Sequence, residues 1–173
     1  MRIQYMSDLH MELWDNSRYI RTNEFEVVGD VLVLAGDTFY LRDTIAPQKK
    51  FWNWASKSFQ QVLLVPGNHE FYSNSDVTAR GDSWQWMIRE NVGYYYNKVV
   101  AAQHMGSVLN GAFVIELGNY IAESRIDVWI YGHSHSNIDT TIGNTRVVCN
   151  QLGYIYYNEH LTNGFEPNKV IVV

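Results

Sequence analysis

Short apolar runs alternate with longer amphipathic stretches along the chain, and glycine, proline or polar residues separate them. The VLVLA run at residues 31–35 is typical of a strand that is buried on both faces, because no polar residue interrupts it. Strands are predicted at residues 2–6, 31–35, 62–65, 99–102, 126–131, 140–142, 145–149 and 169–173. Helices are predicted at residues 49–61, 82–90 and 111–124.

Strands that alternate with helices predict an α/β fold. The chain has 173 residues, which suits one domain with one core, and no repeat or linker interrupts it. We therefore expect a single domain over residues 1–173.

Polar side chains of the kinds that bind metals follow the ends of several predicted strands. These side chains are Asp8, Asp37, Asn68, His104 and His133. In α/β sheets, functional sites gather at the carboxyl edge of the strands. We therefore expect these side chains to converge, although they are far apart in the sequence.

The types of these residues indicate a site for two metal ions. Asp8 and His10 stand two residues apart on one loop, and so do His133 and His135. Asp37 has two carboxylate oxygens and can bridge two cations about 3.5–4 Å apart, the usual spacing in two-metal sites. Mixed imidazole and oxygen ligands favour Mn, Fe, Zn, Co or Ni over Mg or Ca. Such a pair of ions would polarise the oxygens of a phosphoryl group. His69 lies beside a ligand without being needed as one, and we predict that it protonates the leaving oxygen or contacts that phosphoryl group.

Charge and cysteine content narrow the possible partners and location. A net charge of −5 disfavours a general nucleic-acid surface, although metals can still supply positive charge to a nucleotide substrate. Cys149 is the single cysteine, so no internal disulfide forms, which fits a reducing compartment. No signal peptide and no apolar run of membrane-spanning length is recognisable. We therefore expect a cytoplasmic protein that acts on a small substrate rather than at a membrane.

The ordered motifs resemble those of the calcineurin-like metallophosphoesterase superfamily. They are Asp8-Leu9-His10, Gly36-Asp37, Gly67-Asn68-His69-Glu70, His104 and Gly132-His133-Ser134-His135. The resemblance implies a four-layer αββα sandwich. It implies that one metal is held by Asp8, His10, Asp37 and His135. It implies that a second is held by Asp37, Asn68, a histidine near 104 and His133, with His69 as the acid or the phosphate contact.

The chain departs from the family pattern in three respects. The fourth-strand ligand position falls on Gln103 in one alignment and on His104 in another, and a shift of one residue reverses the direction of a strand side chain. Tyr40 stands where phosphatase members often have an aspartate that orients the catalytic histidine. The segments 70–99 and 104–111 are short for this family.

We expect a phosphoesterase that hydrolyses phosphate mono- or diesters by attack of a hydroxide that bridges the two metals. The alternative is a catalytically weak or inactive binding module on the same fold. A nuclease is a third possibility, which the acidic charge disfavours.

Overall fold

The computed structural model describes residues 1–40, 48–71, 92–94 and 117–173, with 71 and 92–94 described by their backbone alone. A five-stranded sheet has the order β4-β3-β2-β1-β8. Its strands are β1 (Arg2–Met6), β2 (Val31–Ala35), β3 (Gln61–Val65), β4 (Val92–Tyr94) and β8 (Val170–Val172). Strands β1 to β4 pair in parallel and β8 pairs antiparallel with β1, so the first four strands end at one edge.

A second sheet has three strands in the order β5-β7-β6. They are β5 (Val128–Tyr131), β6 (Asp139–Ile142) and β7 (Thr145–Cys149). Strand β5 is parallel to β7, and β6 is antiparallel to it, so β6 and β7 form a hairpin around the Gly143-Asn144 turn. A single bridge between Ser7 and Gln151 joins the chain after β7 to the chain after β1.

The two faces of the first sheet pack against different parts of the molecule. Tyr5 and Ile171 form one buried cluster with Val148 of the second sheet, so the two sheets face each other there. Leu32 and Leu34, on the other face, belong to a separate cluster that includes residues of the helices. This division follows from the two-residue period of a strand. It gives an order of helix, sheet and sheet in the described part of the chain.

Three α-helices lie in the described residues. They are α1 (Trp14–Thr22), α2 (Lys49–Ser58) and α3 (Gly118–Glu123). Helix α2 buries Phe51, Trp52 and Ala55, the apolar face that the sequence predicts. It ends before the predicted residue 61, because the Gln60 backbone N–H already bonds to the carbonyl of Asp30, 2.9 Å away, as the chain enters β3.

The sequence pattern did not predict α1. Its sequence, WDNSRYIRT, buries Ile20 but also the polar Asn16 and Ser17, so no apolar stripe marks it. The Asn16 amide donates to the carbonyls of Leu9 (3.0 Å) and Gly153 (2.7 Å). This helix is therefore positioned by polar bonds to the loops beside the site, which hydrophobic periodicity does not report.

Other predicted elements are shorter than expected or fall outside the described residues. Of the helix predicted at 111–124, the described part forms α3, and β5 is shorter than the predicted 126–131. The helix predicted at 82–90 and the strand at 99–102 lie outside the described residues. Within the part that the structure describes, no helix is long and apolar enough to cross a membrane.

Candidate metal centre

The loops after the first two strands continue the pairing of the sheet. The Asp8 N–H donates to the carbonyl of Gly36 at 3.0 Å, and the His10 N–H donates to the carbonyl of Asp37 at 3.0 Å. After β3, the backbone N–H of His69 donates to Asp37 Oδ1 at 2.8 Å. Three neighbouring strands therefore bring Asp8, His10, Asp37 and the Asn68 segment to one edge, as predicted.

The second sheet adds its histidines to the same edge. The His133 backbone N–H lies 2.8 and 2.9 Å from the two carboxylate oxygens of Asp8. Gly132 makes this approach possible, because a Cβ there would lie 2.5 Å from Asp8 Oδ2 and 2.7 Å from Ser7 Oγ. A glycine at 132 is thus required by the contact between the sheets.

Five of the six predicted metal ligands in the described residues, all but Asn68, share an uncommon backbone conformation. Positive φ angles occur at Asp8 (53°), His10 (45°), Asp37 (50°), His133 (89°) and His135 (51°). Among the described residues other than glycine, Asn158 alone shares this conformation. Left-handed backbone costs energy in ordinary residues and concentrates at functional sites. The fold therefore retains strain at the residues that the sequence motifs single out.

Asp8, His10 and His135 form the first ligand group. Their candidate ligand atoms all lie within 4.8 Å of one another. The Nε2 atoms of His10 and His135 are 3.1 Å apart, and His135 Nε2 is 3.4 Å from Asp8 Oδ1. Two ligands that share a cation at bond lengths of about 2.0–2.1 Å lie roughly 3–3.4 Å apart. This donor set therefore fits a divalent transition metal.

A carboxylate lies behind each histidine of this first group. Glu159 Oε2 is 2.7 Å from His135 Nδ1, and Glu12 Oε1 is 3.1 Å from His10 Nδ1. Burial would lower the pKa of His135, but the Asp8 and Glu159 carboxylates outweigh it and raise that pKa. A carboxylate on one ring nitrogen leaves the other nitrogen to the metal, which is the usual arrangement of metal-bound histidine.

The second ligand group that the sequence predicts includes Asp37, Asn68 and His133 among the described residues. His133 Nδ1 lies 3.4 Å from Asp37 Oδ2. Gly67, the residue before Asn68, packs so closely on the Asp37 carboxylate that a Cβ at 67 would collide with it. Burial acts to raise the pKa of Asp37, but the bonds from His133 and from the His69 N–H lower it overall. His104 and Gln103, the candidates for the remaining ligand, lie outside the described residues.

Glu70 connects the loops that carry the ligands. Its carboxylate is fully buried and accepts backbone N–H bonds from Asp37 (3.1 Å), Thr38 (2.6 Å) and Gly67 (2.7 Å). Burial and the nearby Asp37 carboxylate raise the pKa of Glu70 to about 8, against the opposing effect of the N–H donors. The glutamate of the Gly67–Glu70 motif is thus a structural link between the β2 and β3 loops.

His69 lies at the border of the first ligand group. Its Nδ1 is 2.7 Å from Glu12 Oε1, and its ring meets that of His10 edge-on with the centroids 4.3 Å apart. Tyr40 stacks on the other side, with ring centroids 5.9 Å apart. His10, Glu12 and His69 are also close enough to be a ligand group, and Glu12 Oε1 lies within hydrogen-bond distance of both rings.

Tyr154 forms a wall of the centre. Its ring centroid lies 4.7 Å from that of His10 and 4.6 Å from that of His135. Burial, followed by the carboxylates of Asp37 and Glu12, raises the pKa of Tyr154 to about 12. The phenol therefore stays neutral at physiological pH and can donate a hydrogen bond.

Sequence reasoning missed the supporting carboxylates Glu12 and Glu159. Glu12 follows His10 by two residues, so a search of the loop for acidic neighbours would have found it. Glu159 has no such signal, because it reaches His135 from a separate 3₁₀ turn, Glu159–Leu161.

The fold and site together define a class: an α/β protein with histidine and carboxylate ligands for divalent metals at the carboxyl edge of its strands. The family model of the calcineurin-like phosphoesterases matches residues 1–119, more than half of the chain. The chain belongs to that family. Members typically bind divalent metals, which agrees with the Asp8, His10 and His135 group.

More distant comparisons add little. A protein of Streptococcus pneumoniae described as a predicted phosphoesterase matches at 20% identity and a TM-score of 0.42, over 89% of this chain and 72% of its own. A similarity this low carries no argument about activity. No curated protein is significantly similar to the chain in sequence.

Proposed function

We propose that this protein is a dinuclear metal-dependent phosphoesterase that hydrolyses phosphate mono- or diesters. The observation that carries the proposal is the convergence of Asp8, His10 and His135, with ligand atoms within 4.8 Å of one another, beside Asp37 and His133. The proposal includes a single domain over residues 1–173 with the four-layer αββα arrangement of the family.

The residues have separate tasks in this proposal. Asp8, His10, Asp37 and His135 would hold one ion, and Asp37, Asn68, His104 and His133 the other. Such ions lower the pKa of a bound water and neutralise charge on phosphoryl oxygens. His69 contacts the substrate and gives a proton to the leaving oxygen. The buried carboxylates hold the rings in place, so that little reorganisation is needed during the reaction.

The test combines metal analysis with a substrate panel. Protein purified without chelator is analysed for transition metals and assayed on aryl and alkyl phosphate mono- and diesters and on oligonucleotides. We expect about two ions per chain and turnover of an aryl ester that a chelator removes and added metal restores. Metal without turnover on any ester would support a binding role instead. Cleavage of oligonucleotides alone would indicate a nuclease.

A further inference from the structure

We propose that Glu12 is the positioning residue for His69 and that the same carboxylate oxygen orients the metal ligand His10. The inference rests on the proposed function. Glu12 Oε1 lies 2.7 Å from His69 Nδ1 and 3.1 Å from His10 Nδ1. One acceptor therefore fixes two rings that have different tasks.

Burial makes this arrangement hard to explain as ordinary surface pairing. The Glu12 side chain is 1% exposed, and its ion-pair partners among the described residues are the two histidines. Its second oxygen, Oε2, is buried and has no hydrogen-bond partner among the residues that the structure describes. A buried carboxylate with an unbonded oxygen is costly unless the remaining contacts are strong. The protein keeps this energetic cost at a residue whose two histidine contacts orient side chains of the candidate metal centre.

The position of Glu12 explains how His69 can be oriented although Tyr40 replaces the aspartate of the family pattern. Tyr40 stands where the family pattern often has an aspartate, and here its ring stacks on His69. The carboxylate reaches His69 from the loop after β1 instead. The ring contacts with Tyr40 and His10, together with Glu12 at Nδ1, limit the rotation of the His69 ring.

The bond from Glu12 also selects the nitrogen of His69 that reacts. A proton held on Nδ1 by Glu12 leaves Nε2 as the nitrogen that exchanges a proton. In the transfer, the oxygen of an attacking hydroxide forms a new P–O bond as the P–O bond to the leaving group breaks, the Nε2 proton of the imidazolium moves to the leaving oxygen, and the imidazole becomes neutral. Glu12 keeps its charge throughout and touches neither the substrate nor the leaving group.

The test replaces Glu12 by methionine, which has similar length and no acceptor, and by glutamine, which keeps an oxygen acceptor. Glu159→Met is the matched control, because Glu159 supports the metal ligand His135 in the way that Glu12 supports His10. All variants are assayed at saturating metal on phosphate esters that have good and poor leaving groups, and their metal affinity is measured separately.

We expect Glu12→Met to lower kcat on an alkyl phosphate by about 10²-fold, and far less on an aryl phosphate whose leaving group needs no proton. Glu12→Gln should recover most of that loss. Glu159→Met should weaken metal binding by about 10–100-fold without changing the leaving-group dependence. In a His69→Ala background, Glu12→Met should have no further leaving-group effect. Equal losses on both esters would overturn the positioning role, while turnover of the unmutated protein would keep the proposed function intact.

A second readout does not depend on turnover. Nitrogen NMR of the metal-free protein, with ¹⁵N-labelled histidine assigned by His10→Ala and His69→Ala, reports which ring nitrogen carries the proton. We expect protonated Nδ1 in both rings and a loss of that state in Glu12→Met but not in Glu159→Met. Unchanged tautomers in Glu12→Met would refute the inference even if the protein proved to have no activity.

Discussion

In the proposed dinuclear centre, the two ligand groups differ in how firmly the rest of the protein holds them. In the first group, Asp8 and His10 are fully buried, and carboxylates fix both histidines from behind, at 3.1 Å from Glu12 and 2.7 Å from Glu159. In the second, His133 is 21% exposed and faces Asp37 at 3.4 Å. The first group is preorganised, because its rings have their orientation before any ion binds.

This difference predicts unequal affinities for the two ions. Ligands that are already oriented lose little conformational freedom on binding, whereas exposed ones must be ordered. We therefore expect the Asp8, His10 and His135 group to bind the tighter ion. Substitutions of single ligands, and of Asp37, which the two groups would share, test that asymmetry.

The largest effect is expected for Asp37→Ala. Asp37 is 2% exposed and lies between the loops of β2 and β3, so its loss should empty both groups. Because metals contribute several kcal/mol to such reactions, turnover should fall by about 10²–10⁴-fold. Elemental analysis and ester hydrolysis measure the two losses.

Asp30→Ala is the control for that experiment. Asp30 precedes the same strand at the opposite edge, where it accepts the Arg2 N–H at 2.8 Å. We expect metal content and turnover to persist in it. Normal turnover in Asp37→Ala would remove the shared carboxylate from the mechanism.

A smaller and more selective effect is expected from the two histidines of the β5 loop. His135→Ala removes a ligand of the first group, and His133→Ala removes one of the second. Each should leave about one ion per chain, and the ion left in His133→Ala should be the tighter one. Isothermal titration with Zn²⁺ or Mn²⁺ measures this. Equal affinities in both variants would refute the asymmetry.

The strand-end ligands were predictable from sequence for a physical reason. Parallel strands carry their final residues to one edge, so apolar runs that end at Asp8, Asp37 and Asn68 indicate one cluster. Gly67 and Gly132 precede Asn68 and His133, and a Cβ at either glycine would strike a carboxylate.

The supporting residues were harder to predict, since they depend on contacts between distant segments. Glu159 reaches His135 only because the chain after β7 folds back beside the β1 loop, where the Gly153 N–H donates to the carbonyl of Asp8 at 3.2 Å. Helix α1 was missed because buried Asn16 and Ser17 interrupt its apolar face. A sequence pattern reports burial of apolar groups, whereas these features depend on polar bonds.

A more modest change is expected at the fourth-strand ligand position. We predict that His104→Ala weakens the second ion and leaves the first in place, because one ligand of one group is lost. Gln103→Ala is the comparison, since the two residues are neighbours in the sequence. Competition with a metal indicator measures both affinities. Weakening by Gln103→Ala alone would assign the position to Gln103.

The smallest effect is expected at the outer edge of the second sheet. Arg146 and Asp139 form a two-bond ion pair at 2.9 and 2.7 Å between β7 and β6, with side chains 48% and 41% exposed. Exposed pairs contribute about 0.2–1 kcal/mol, so Asp139→Asn should cost no more than that in the free energy of unfolding.

The free-energy cost of Asp139→Asn should also decrease as the pH is lowered. The hydrogen bond from Arg146 lowers the pKa of Asp139 in the folded state. The stabilisation is therefore present above the ordinary pKa of an aspartate and is lost as the pH falls through the lowered value. Urea unfolding of the Asp139→Asn and Arg146→Met variants and their double variant measures the coupling free energy of the pair. That coupling should be present at neutral pH and absent in acid. Because the pair contacts neither ligand group, metal affinity should be unchanged, and a change would mean that the sheet edge and the centre are coupled.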